Sequence, residues 1–119
     1  MQVNQLIINV TTEDKERLGA FYKDVVGLTP NTQVGEHAFD IGGATLIFDW
    51  HSEVHGKAQE PQRVLINFMV DDLVAEQSRL KAQGVEFIRE EGREYWGGVI
   101  STFLDPDGNY CQLIEFKPE

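Results

Sequence analysis

The chain has 119 residues, 41% of them hydrophobic and 25% charged, with 20 Asp and Glu against 10 Lys and Arg for a formal net charge of -10. That is the size of one globular domain able to bury a sizeable core, and its acidity excludes the basic face that a nucleic-acid partner requires. The one cysteine, Cys111, excludes an intrachain disulfide and suits a reducing compartment.

The opening stretch MQVNQLIINV has no basic leader and no long apolar run. It predicts neither a secretory signal nor a membrane span, and hence a cytoplasmic protein with no membrane partner. From Gln5 to Val10 the residues alternate, with Leu6, Ile8 and Val10 on one face and Gln5, Ile7 and Asn9 on the other. That period predicts a strand. TTEDKERLGAFYKDVVG reads as a helix, capped by Thr11 or Thr12, with Glu13, Asp14 and Glu16 at the positive end of the dipole. Leu18, Phe21, Tyr22, Val25 and Val26 form its apolar stripe, and Gly27 stops it. Short strands are expected over Thr29 to Val34, His37 to Ile41 and Ala44 to Trp50, followed by a polar linker from Ser52 to Gln62.

The order then repeats. Arg63 to Val70 reads as a strand, and Asp71 or Asp72 caps a helix that runs through Ala82 with Leu73, Gln77 and Leu80 on one stripe. Gly84 stops it, and strands follow near Val85 to Ile88, Val99 to Leu104 and Tyr110 to Phe116. The charged run REEGREYWGG reads as a solvated connection. DPDGN, from Asp105 to Asn109, is turn chemistry: Pro106 presets φ and Gly108 takes a left-handed conformation. The element order gives a long-period duplication of two βαβββ units.

AFYKDVVGL, VDDL, KAQGVEF and WGGVISTFLDPDGN occur in that order and at suitable distances. Together they resemble the vicinal-oxygen-chelate superfamily of glyoxalases, bleomycin-resistance proteins and ring-cleaving dioxygenases, over nearly the whole chain. The resemblance implies an α+β fold, one domain over residues 1–119. It would be built of two βαβββ modules, about 1–56 and about 62–119, with helices outside and curled mixed sheets enclosing a cleft. It also implies a homodimer.

Metal-binding members carry ligands on the first, fourth, fifth and last strands. Carried over, these positions are Gln5, Ile47, Leu65 and Gln112. Ile47 and Leu65 offer no donor atom, and Gln112 puts a neutral amide where the family has a carboxylate. The expectation is therefore no metal and no cofactor at these positions. Strand parity gives a mixed face that suits either a cleft lining for a small organic ligand, neutral or cationic, or a satisfied polar core or dimer interface. The expected ligand-binding residues are Gln5, Ile7, Asp49, Leu65, Asn67, Trp96, Thr102 and Gln112, with Ile114 as a further apolar wall. Catalytic residues are not assigned.

Other constellations point elsewhere. His51 and His55 have i, i+4 spacing but follow a strand, where that spacing does not align ligands. His37 stands alone, and Cys111 has the parity of an inert core thiol. Tyr95 and Trp96 either stack on a ligand or anchor their loop. Three functions stay open: ligand sequestration without metal; a lyase, isomerase or transferase whose metal ligands lie at other positions or which works without metal through Tyr or Asp chemistry; and a non-catalytic accessory subunit.

Overall fold

The computed structural model describes residues 1–117. They form two compact units, which divide between Gly56 and Lys57. Each holds a four-stranded mixed sheet and a helical segment, so the fold is α+β with the βαβββ order in both. Among the described residues no helix is long and apolar enough to cross a membrane.

In the first unit, β1 (Leu6–Thr12) leads into α1 (Lys15–Ala20), which continues as a π-helical turn over Phe21–Val26. The strands β2 (Thr29–Pro30), β3 (Ala38–Ile41) and β4 (Ala44–Trp50) complete a sheet of order β1-β4-β3-β2. β1 runs parallel to β4, and β4 antiparallel to β3. The cap is Asp14, not Thr11 or Thr12: its carboxylate accepts the Arg17 amide at 3.1 Å. Thr12 is fully buried at the end of β1, where its hydroxyl accepts the Asp14 amide at 3.1 Å and sets the entry to the helix. Gly27 stops the helix at φ 86, a conformation open to glycine at little cost. Leu18 and Tyr22 bury fully, and the Tyr22 ring stacks on Phe48 with centroids 4.1 Å apart. An aromatic pair of this kind adds about 0.5–1.5 kcal/mol to its area burial.

The apolar face of β1 is not covered by the helix as its pattern suggests. Leu6 and Ile8 are 55% and 44% exposed, because β1 is the sheet edge while the short α1 packs mainly on β4. Trp50 is likewise exposed, at the far end of β4. β2 is shorter than expected. Pro30 has no amide to donate, and the Asn31 side chain accepts from Val34 and donates to Asp40, which turns the chain.

In the second unit a 3₁₀ turn (Pro61–Arg63) precedes β5 (Leu65–Met69), so the strand starts later than Arg63. Then come α2 (Leu73–Ala82), β6 (Phe87–Arg93), β7 (Gly98–Leu104) and β8 (Tyr110–Phe116), in the sheet order β5-β8-β7-β6. Asp72 caps α2 through the Ala75 amide at 3.1 Å. Leu73, Gln77 and Leu80 bury as their spacing predicts, against a core of Phe68, Phe103, Cys111 and Leu113. Val64, by contrast, is 63% exposed before the edge strand β5.

β6 corrects the reading of REEGREYWGG as a solvated connection. The strand runs through Arg93 with register shifts on both sides of Arg89. As an edge strand it keeps its charges in water, and Glu90 and Glu91 reach back to Lys81 and Gln77 of α2.

Candidate functional site

The turn at Asp105–Asn109 fixes the register of β7 and β8. Asp105 is buried, and its Oδ1 accepts the amides of Asp107 and Asn109, each at 2.9 Å. Its Oδ2 accepts the Asn109 side-chain amide at 2.8 Å. Gly108 sits at φ 79 and donates its amide to the Asp105 carbonyl at 2.9 Å. A carboxylate so fully bonded holds the two strands in one register.

That register assembles a row across the second sheet. Asn67 of β5 lies opposite Gln112 of β8, Gln112 opposite Thr102 of β7, and Thr102 opposite Arg89 of β6. The Gln112 Nε2 donates to the Thr102 hydroxyl at 3.1 Å. Thr102 is buried and Gln112 half-buried, whereas Asn67 and Arg89 are exposed. Apolar rows flank this polar one: Leu65, Tyr110 and Leu104 on one side, Met69, Ile114 and Ile100 on the other. Alternate residues of a strand share a face, so these rows share the face turned away from Cys111 and Leu113. Glu115 has the opposite parity. Its carboxylate accepts the Leu73 amide at 2.8 Å, so it serves α2 and not this face.

The first unit carries its own polar chain. Gln5 Nε2 donates to the Thr45 hydroxyl at 2.6 Å, and that hydroxyl donates to Asp40 Oδ1 at 3.3 Å. Asp40 also accepts from the Asn31 amide at 3.1 Å. Thr45 is buried, and Ile7 of β1 lies opposite it. Asp49 lies opposite Thr11 at the exposed end of β4. Gln5, Ile7 and Asp49 thus belong to the first unit, and Leu65, Asn67, Trp96, Thr102 and Gln112 to the second.

Trp96 folds back over its own hairpin: a Cβ built on Gly98 would lie 1.9 Å from the indole ring. The ring covers Gly98 and is 42% exposed, while Tyr95 stands almost wholly in solvent. Cys111 is fully buried, as its parity predicts.

The donor set at the family's metal positions does not fit a metal. Ile47 and Leu65 have no ligating atom, and the amide nitrogens of Gln5 and Gln112 are each directed at a threonine hydroxyl. His51 and His55 do not converge. His51 Nδ1 accepts the Glu53 amide at 3.0 Å, whereas His55 is 3.8 Å from Glu13. His37 is the feature that pattern reading missed. It is not alone, because Glu36 and Glu16 lie beside it. Only the packing of α1 against the segment before β3 brings Glu16 there, and no spacing in the sequence signals it.

The profile of the Glyoxalase/Bleomycin resistance protein/Dioxygenase superfamily matches residues 4–113. The uncharacterized protein YetH of Bacillus subtilis is 26% identical over 114 residues, covering 91% of this chain and 94% of YetH. A glyoxalase/bleomycin resistance protein/dioxygenase family enzyme from Burkholderia phytofirmans superposes with a TM-score of 0.75 at 22% identity, over 92% of this chain and 96% of that one. A superfamily member from Sphaerobacter thermophilus gives 0.74 at 18% identity, over 96% and 98%. The chain belongs to the glyoxalase/bleomycin resistance/dioxygenase superfamily.

Proposed function

We propose that this superfamily member binds a small organic molecule without a catalytic metal. The observation that carries the reading is Gln112: a neutral amide, half-buried in a polar row and flanked by apolar rows, at the position where metal-binding relatives carry a carboxylate. An amide both donates and accepts, so it orients a ligand without adding charge. Asn67 and Thr102 extend the same polar strip, and Leu65 and Ile114 supply apolar contact on either side. Ile47 and Leu65 leave no donor set for the Lewis acid that drives chemistry in metal-dependent relatives. The favoured role is sequestration of a neutral or cationic ligand. The net charge of -10 raises the on-rate for cations, an effect that salt screens beyond roughly 8 Å.

The edge strands support a homodimer. β1 and β5 each close one side of a sheet, and Leu6, Ile7, Ile8, Leu65 and Met69 are all more than 40% exposed there. Open edges with apolar side chains are normally paired or covered.

A thermal-shift screen of small organic compounds tests the binding reading, since a ligand at 100 times its dissociation constant adds about 2.7 kcal/mol to stability. Calorimetry of the hit with Gln112→Leu follows. The expected result is a folded variant with affinity reduced about tenfold, one lost hydrogen bond in a dry site being worth about 1.5 kcal/mol. Unchanged affinity removes Gln112 from the site, and turnover of the hit by the metal-free protein replaces sequestration with catalysis.

A further inference from the structure

We propose that Glu16, Glu36 and His37 form a site for one divalent transition-metal ion of the zinc class, separate from the sheet faces above. One carboxylate oxygen from each glutamate and one imidazole nitrogen lie within 4.8 Å of one another. His37 Nε2 is 3.6 Å from Glu36 Oε1, beyond hydrogen-bond distance. It is also buried with no hydrogen-bond partner, on a side chain only 15% exposed. A buried ring nitrogen without a hydrogen-bond partner is unusual, and this one belongs to an imidazole clustered with two carboxylates.

The fold holds the imidazole there. The ring approaches α1 closely at Gly19, where a Cβ would come within 2.3 Å of Nδ1. Glycine at this position therefore makes room for the ring. The three donors border a cavity of about 270 Å³, which Gly19, Lys23 and Asp24 also line. A tetrahedral zinc site with bonds of about 2.1 Å places its donors about 3.4 Å apart. The cluster must therefore contract, and two exposed glutamate side chains can do so by rotation.

Donor chemistry selects the ion. Two carboxylates offset a double positive charge, and an imidazole nitrogen favours zinc, nickel or copper over magnesium or calcium. Three protein ligands leave one coordination position for water.

The test is calorimetric titration of the full chain, first stripped of metal, with zinc alone and with magnesium alone. The expected result is one zinc ion per chain and no measurable magnesium heat. His37→Gln should weaken zinc about tenfold or more, and the exposed changes Glu16→Gln and Glu36→Gln together should abolish it. Gly19→Ala keeps every donor but displaces the ring, so it should weaken zinc as His37→Gln does. His51→Gln with His55→Gln should leave binding unchanged. Circular dichroism checks that each variant is folded, and the glutamate pair keeps the test decisive if the core changes disturb folding. Absence of zinc binding by the native chain overturns the proposal. So does binding that survives the glutamate pair or is lost with His51 and His55.

Discussion

Glu115, near the end of β8, accepts the backbone amide of Leu73 at 2.8 Å and so closes the N-terminus of α2 from 42 residues away in sequence. Leu73 is 1% exposed, so water cannot take over that amide. Glu115→Ala should therefore cost about 1–3 kcal/mol, the penalty of a buried donor left without a partner. Glu115→Gln keeps an acceptor and should cost less. Urea denaturation of both variants checks the order. The nearby Lys117, 3.5 Å from the other oxygen and exposed, should contribute little, and Lys117→Ala should be near neutral.

Glu91 predicts a pH effect. Its carboxylate accepts the Gln77 side-chain amide, and this bond, with a backbone hydrogen bond, holds its pKa below the ordinary 4.5. A pKa lowered by folding stabilises the fold above the unfolded value and loses that contribution as pH falls through the folded value. The stability gap between native protein and Glu91→Gln should therefore be widest above about pH 4.5 and close on further acidification. Denaturation series at several pH values measure it; a gap that widens on acidification contradicts the assignment.

Ser101 is fully buried on β7, and its hydroxyl has no hydrogen-bond partner. Removing an unsatisfied group relieves a desolvation penalty. Ser101→Ala should therefore be neutral or gain up to about 1 kcal/mol, against the usual cost of a core substitution. A denaturation midpoint lowered at unchanged slope would count against this.

Edge-strand association gives a further outcome. Ile8→Lys places a charge on the exposed apolar edge of β1. If a second copy covers that edge, light scattering at low micromolar concentration should show a dimer for the native chain and a monomer for the variant. A native monomer removes the homodimer.

At the family's metal positions, Gln112→Glu alone should not create a metal site, because Ile47 and Leu65 still supply no donor. Zinc titration of this variant should match that of the native chain. A second equivalent of zinc would show that a single carboxylate is enough.

Much of the architecture was readable in the sequence because it is set by local rules. The spacing of Leu73, Gln77 and Leu80 determines which face of α2 is buried, whatever it packs on. Gly27 and Gly84 end their helices through a backbone conformation that other residues adopt at a cost. The DPDGN turn fixes β7 against β8 through a side chain bonding its own neighbours. Strand parity likewise put Gln112 on one face of β8 and Cys111 on the other.

Tertiary structure decided the rest, because those features depend on partners distant in sequence. Alternation in β1 marks a two-faced strand, but only the sheet order makes it an edge and leaves Leu6 and Ile8 half exposed. The charges of β6 suggest a solvated loop until Gln77 and Lys81 of α2 are seen to hold them on a strand. Gln5 acquires Thr45 from 40 residues away, and His37 acquires Glu16 through the packing of a helix on a loop. Periodicity reports which side of an element is apolar. It carries no information about which distant side chain a polar atom will meet, and both the candidate site and the candidate metal cluster are built from such meetings.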